Sequence, residues 1–218
     1  MVVCTHKGEI KLKEEEKIRL ENMLVIEKEL KKEGYKYIAG VDEAGRGPLC
    51  GPVVAASVIL PDDCYIEGLN DSKKLSEKKR EMLYDVIIEK ALAWKVEMSD
   101  VDVIESINIL NATKLAMKKA VEGLKITPDY VIIDGNQKID IDIKEETVVS
   151  GDSKSLSIAA ASVLAKVTRD RLIRQLDKKY PEYGFAKHKG YGTKMHIEAI
   201  KKYGLCEIHR PSFCKKFV

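Results

Sequence analysis

The chain has 218 residues, 44% of them hydrophobic and 33% charged, which is enough apolar sequence for a core and too much for a disordered chain. No apolar run approaches the roughly 20 residues that span a bilayer, and the Lys- and Glu-rich residues 1–17 contain no apolar stretch of the kind that directs secretion. The net charge of +3 hides a split: residues 151–218 carry 15 Lys and Arg against 6 Asp and Glu, whereas residues 1–150 carry 23 against 29. A basic last third suits a polyanionic partner, and equally a solvated surface.

Along the chain, residues 10–33 are good helix formers with apolar positions at Ile18, Met23, Ile26 and Leu30, and predict a charged amphipathic helix stopped by Gly34. Residues 1–35 thus read as an N-terminal helical extension packed on the flank of a domain spanning 36–218. Residues 37–42 and 53–60 are short apolar runs on either side of GRGPLCGP, and predict two strands joined by a structured loop. Ser76 is placed to cap a helix running to about residue 92. A strand follows over 93–98, and a helix over 107–124. Thr127-Pro128-Asp129 turns the chain into a buried strand at 130–134. A short strand at 147–149, a helix from about 157 to 180 and a last helix over 194–203 complete the pattern. Strands interleaved with helices make an α/β domain with a largely covered sheet. The five cysteines are odd in number, scattered and without a C-x-x-C pair, which points to a reducing cytoplasm rather than to disulfides or a zinc site.

Four acidic residues fall at three predicted strand ends, next to glycine-containing turns. Asp42 and Glu43 precede Ala44-Gly45-Arg46-Gly47, Asp134 precedes Gly135-Asn136, and Asp152 follows Gly151. Singly, each is an ordinary turn or helix cap. Together they suggest a shared site, because carboxylates at buried strand ends need their charge compensated and a divalent cation does so. Asp42 and Glu43 are adjacent, so a regular strand would point them to opposite faces, and both reach one site only if the chain turns there. Gly45 and Gly47 let backbone approach a ligand closely. Neither a Walker-A pattern nor G-x-G-x-x-G is present.

The segments GVDEAGRGPLCGPVVAASVIL, LNDSKKLSEKKR, VIIDGN, SGDSKSLSIAAASVLAKVTRDR, YGFAKHKGYGT and HRPSF resemble, in this order, the signature segments of bacterial ribonuclease HII. The resemblance covers about residues 37–213. It implies an RNase H-like fold, with a central mixed β-sheet flanked by helices and a C-terminal helical segment. It also implies an endonuclease that uses two divalent ions, Mg²⁺ or Mn²⁺, to cut the RNA strand of RNA–DNA hybrids and to nick 5′ of single ribonucleotides in duplex DNA. The products would carry a 3′-hydroxyl and a 5′-phosphate. The family's catalytic and metal-binding acids map onto Asp42, Glu43, Asp134 and Asp152. Its G-R-G element maps onto Gly45, Arg46 and Gly47, expected at the 2′-hydroxyl, and its junction-sensing tyrosine onto Tyr191. Lys73 and Lys74, in the D-S-K-K segment, are expected on the nucleic-acid surface.

Other residues carry plainer expectations. His188 reads as a phosphate contact or a solvated residue, Lys166, Arg169 and Arg171 as phosphate contacts or plain surface, Asp170 as a salt-bridge partner, and Cys50 and Cys206 as packing residues. The tail SFCKKFV has some likeness to a sliding-clamp peptide but lacks its glutamine. The protein is expected to be monomeric. Ribonuclease HIII is disfavoured because only about 35 residues precede the first motif. The alternative of a non-catalytic nucleic-acid-binding module on the same fold is opposed by the presence of all four acids.

Overall fold

The computed structural model describes residues 13–218, together with the backbone of two short strands before them. Those strands, β1 (Val2–Thr5) and β2 (Gly8–Lys11), pair as an antiparallel hairpin. The helix expected over 10–33 is two helices, α1 (Glu14–Asn22) and α2 (Val25–Lys32), because residues 10 and 11 belong to β2 and the chain breaks at Met23 and Leu24. At the break the Met23 carbonyl accepts the Leu156 N–H at 2.9 Å. Leu20, Met23 and Leu24 enter the main hydrophobic core, and Leu30 and Ile26 join a second cluster, so these helices pack on the flank; Ile18, expected on the apolar stripe, is exposed instead.

The sheet follows from the apolar runs. Strand β3 (Ile38–Ala44) pairs antiparallel with β4 (Val53–Ile59). Helix α3 (Glu77–Lys90) begins where the Ser76 hydroxyl accepts the Lys79 N–H, and leads to β5 (Ala93–Ser99), antiparallel to β4. Helix α4 (Val101–Glu122) starts earlier than expected and is interrupted at Asn108, at φ 64°, whose side chain accepts the Asn111 N–H and caps the second segment. The expected start at 107 is close to that internal cap. Strand β6 (Tyr130–Asp134) runs parallel to β3, and β7 (Lys144–Val148) parallel to β6. The sheet order is β5-β4-β3-β6-β7, a mixed sheet. β7 is longer than the 147–149 expected, since an edge strand tolerates the charges of Lys144, Glu145 and Glu146.

Helix α5 (Leu156–Lys179) crosses one face of the sheet and α4 covers the other. Its alanine-rich first half lies so close to β3 that a Cβ on Gly40 would stand 2.3 Å from the Ser157 carbonyl carbon. Ser155 caps α5, and the buried Glu27 accepts from the hydroxyls of Ser155 and Ser157, both at 2.7 Å, and from the Ser157 N–H at 3.0 Å. A carboxylate there meets the positive end of the helix. The chain finishes in α6 (Phe185–His188), α7 (Lys194–Tyr203) and α8 (Pro211–Cys214), gathered around a separate cluster that includes Phe185, Ile173, Ile200 and Cys214. Among the described residues no helix is long and apolar enough to cross a membrane.

Candidate active site

Strand register decides which acids meet. In the parallel pair β3–β6, Gly40 lies opposite Ile132 and Val41 opposite Ile133. The next residues, Asp42 and Asp134, are therefore neighbours on the same face, at the carboxyl ends of their strands. After β7 a left-handed Ser150 turns the chain into a short 3-10 turn (Gly151–Ser153), which brings Asp152 to the same place just before α5. Asp42, Asp134 and Asp152 each offer a carboxylate oxygen within 4.8 Å of the others.

Glu43 stands apart from that group. β3 keeps regular pairing through Ala44, so Glu43 turns to the α4 face, beside Thr113, Lys114 and Asn136. It is not in the apolar core: its carboxylate lies at the rim, 3.3 Å from the Arg46 guanidinium. Asp134 is near enough to both acids for its charge to act on each.

The electrostatics are those of a site short of positive charge. Burial, then the charges of Glu43 and Asp134, hold the Asp42 carboxyl well above the usual carboxylate range, against the Ser162 hydroxyl and the Glu43 N–H at 2.7 Å. Burial also raises Glu43, with Arg46 opposing, and burial followed by Asp134 raises Asp152. Asp134 accepts the Gly151 N–H at 2.6 Å and the Asp152 N–H at 3.4 Å. Among the described residues the cation paired with the three aspartates is the Lys73 ammonium, 3.7 Å from Asp152 on a largely exposed side chain. Three close carboxylate oxygens, two of them on aspartates held by backbone and hydroxyl donors and the third on Asp152 beside the Lys73 ammonium, are a donor set that fits a hard divalent cation.

Lys73 thus faces the acids. Lys74 does not: it lines a shallow depression with Arg19, Asn70 and Lys154. The Gly45-Arg46-Gly47 turn lies beside Glu43, and the half-exposed Tyr191 ring packs next to it, 3.8 Å from where a Gly47 Cβ would stand. The acids, the turn and Tyr191 therefore share one side of the molecule.

What fixes this turn was not expected from the sequence. The buried Arg210 makes five bonds to backbone carbonyls: Gly45 at 2.7 Å, Arg46 at 3.0 Å, Pro48 at 2.9 Å and Gly51 twice, at 2.7 and 2.9 Å. Arg169, read as a phosphate contact or surface, is also buried; it bonds the carbonyls of Cys50, Pro52 and Lys189 because α5 turns it inward under the loop. Gly45, at φ +102°, must lack a side chain, since a Cβ would meet the Arg169 Nε at 2.2 Å. Burial lowers the pKa of both arginines, Arg210 to about 10. Only the Arg in HRPSF hinted at one of them, and nothing in its spacing marked it as buried.

The remaining candidates are placed as follows. His188 is buried rather than solvated, its ring bonded to the Tyr183 carbonyl at 3.0 Å. Arg171 pairs with Glu81 at 2.6 Å, and Lys166 with Asp170 at 2.8 Å, which makes Asp170 the salt-bridge partner expected. Cys50 is fully buried, and Cys206 partly so beside His209. In the tail, Phe213 and Phe217 turn toward the C-terminal cluster, while Lys215, Lys216 and Val218 are exposed.

The sequence model of the family described as Ribonuclease HII matches residues 39–216. A ribonuclease HII of Acetivibrio thermocellus is 61% identical over 209 residues, 95% of this chain and 82% of that one. Among solved structures, the ribonuclease H2 from Pyrococcus horikoshii OT3 superposes with a TM-score of 0.70 at 29% identity, covering 84% of this chain and 97% of that one. The RNase HII in the PCNA:RNase HII complex from Archaeoglobus fulgidus gives 0.68 at 25% identity, covering 80% and 94%.

Proposed function

The chain belongs to the ribonuclease HII family and is a ribonuclease H, a hydrolase acting on RNA–DNA hybrids; we propose that it also nicks duplex DNA 5′ of a single embedded ribonucleotide. The nick would leave a 3′-hydroxyl and a 5′-phosphate. The observation that carries the proposal is the convergence of the Asp42–Asp134–Asp152 cluster with a glycine turn and an exposed tyrosine on one side of the molecule.

Asp42, Asp134 and Asp152 would hold a divalent ion, with Glu43 across Asp134 available for a second. Bound Mg²⁺ or Mn²⁺ supplies water activation and charge neutralisation at the scissile phosphate. The protein's own part is positional. The register of β3 against β6 fixes two carboxylates side by side, and the backbone N–H groups of Gly151 and Asp152 orient Asp134. The Gly45-Arg46-Gly47 backbone, with the Gly45 and Arg46 carbonyls held by Arg210, would read the 2′-hydroxyl, the group that separates a ribonucleotide from its deoxy neighbour. The Tyr191 ring offers a flat apolar face to a deoxyribose that lacks the hydroxyl. Lys73, beside the cluster, can meet a phosphate as well as Asp152.

The test uses a DNA duplex containing one ribonucleotide, with Mg²⁺ or Mn²⁺ and then with EDTA. Metal-dependent cutting on the 5′ side of the ribonucleotide, with the all-DNA duplex left intact, is expected. An enzyme that cuts long hybrids and leaves this duplex whole overturns the proposal. The RNase HII of Archaeoglobus fulgidus forms a complex with PCNA; a clamp contact through the tail of this chain would use the exposed Lys215, Lys216 and Val218, or draw Phe213 and Phe217 out of their packing.

A further inference from the structure

Behind Tyr191 lies a buried group of three imidazoles that the cutting reaction does not use. His196 is fully buried, and His209 and His188 nearly so. Their hydrogen bonds leave one consistent set of protons. The Cys206 backbone N–H donates to His209 Nδ1 at 2.9 Å, and the Cys206 Sγ lies 3.1 Å from the same nitrogen, so that nitrogen accepts and the proton of His209 sits on Nε2. His209 Nε2–H then donates to His196 Nε2 at 3.1 Å, which places the proton of His196 on Nδ1. That Nδ1–H donates to the Tyr191 carbonyl at 3.0 Å. His188, stacked on His196 at 4.4 Å between ring centres, accepts the Gly190 N–H on its Nδ1 at 3.2 Å.

Two neighbouring imidazoles therefore grip two consecutive residues of the loop, Gly190 by its N–H and Tyr191 by its carbonyl. Such a chain works only while both bonded rings stay neutral, because a second proton would set donor against donor, on His196 at the Nε2–Nε2 contact and on His209 against the Cys206 N–H. Burial favours the neutral forms, pushing His196 down to about 4 and lowering His188 and His209. Among the described residues no carboxylate, lysine or arginine side chain bonds to His196 or His209. Asp177 and Lys189 act on His188, and Glu182 on Cys206.

We propose that His209 and His196 form a relay of fixed tautomers that positions Tyr191, and that this relay sets the enzyme's preference for a ribonucleotide next to DNA over a long RNA–DNA hybrid. They are positioning residues, acting through Tyr191. The inference rests on the reading of Tyr191 as the group that meets the deoxyribose.

The experiment compares cleavage of a duplex carrying one ribonucleotide with cleavage of a long hybrid, in the whole protein with Mg²⁺. His196→Ala is expected to lower the ratio of the two rates by at least about tenfold, within the roughly hundredfold that a 1 Å misplacement can cost. His196→Asn, whose side-chain N–H can replace Nδ1–H, should restore most of it. In a Tyr191→Ala background, His196→Ala should change the ratio no further. If Tyr191→Ala itself leaves the ratio unchanged, the reading of Tyr191 fails and takes the relay with it. If Tyr191→Ala lowers the ratio while His196→Ala slows both substrates equally, the relay alone is overturned. Should His196→Ala not fold, nitrogen NMR of the unaltered protein decides: His196 protonated on Nδ1 and His209 on Nε2 is the expected pair, and the reverse pair or a charged ring at neutral pH refutes the relay.

Discussion

Asp42 and Asp134 differ in what their removal should do. Asp134 is oriented by two backbone N–H groups and sits between Asp42 and Glu43 in its effects, so Asp134→Asn should lower cutting at least about a hundredfold while duplex binding stays nearly intact. Gel-shift and cleavage assays on one preparation check this, and retained cutting removes Asp134 from the site. Asp42 is a carboxylate whose folded value is raised above its unfolded one, so without metal the folded protein binds the extra proton. Its contribution to stability is then greatest at low pH and declines as pH rises above the ordinary value of 3.8. Two outcomes follow for melting at pH 7: Mg²⁺ or Mn²⁺ should raise the midpoint of the unaltered protein, and Asp42→Asn should raise it without metal and abolish the response. Each kcal/mol of relieved repulsion is worth roughly 2–4 °C in a chain of this size. A lower midpoint for metal-free Asp42→Asn would contradict the electrostatic account.

At the scale of elements, the loop between β3 and β4 is held from outside itself. Its own residues supply glycines and carbonyls, and Arg169 and Arg210 supply the donors. Arg210→Lys keeps the charge but replaces a planar fork with one ammonium of three N–H groups, leaving at least one of the four carbonyls unpaired. We expect a loss of about 3 kcal/mol in denaturant unfolding, with the embedded-ribonucleotide substrate affected more than the long hybrid. A lysine variant of unchanged stability would mean that water replaces the lost bonds. The strands and helices of the domain, and the acids at their ends, were legible because periodicity and turn residues are local. The hairpin before α1, the break at Met23 and the early start of α4 were not. The break coincides with a bond to Leu156, distant in sequence, and Val101, Val103 and Ser106 are modest helix formers on their own. Glu43 turning away from Asp42 was foreseeable from the pleat, whereas the inward turn of Arg169 needed the packing of α5.

Over the whole molecule, part of the basic last third is used inside the protein, since Arg169 and Arg210 bond backbone carbonyls and Lys166 and Arg171 pair with Asp170 and Glu81, which leaves the exposed remainder to meet a polyanion. Binding to any duplex should weaken steeply with added salt, since each phosphate contact releases counterions. A titration of affinity between low and physiological salt checks this, and an affinity indifferent to salt would assign the basic residues to plain solvation. Arg210 has a further consequence that concerns time rather than space. It closes the loop at Gly45 across 165 positions of sequence, and at Gly51 across 159. During synthesis the two aspartate-bearing strands and α5 are made well before residue 210, and until it emerges those carbonyls have no guanidinium to bind. The loop proposed to read the substrate is thus fixed only after residue 210 has been made, and a growing chain would lack that fixed loop while its acidic cluster could already form.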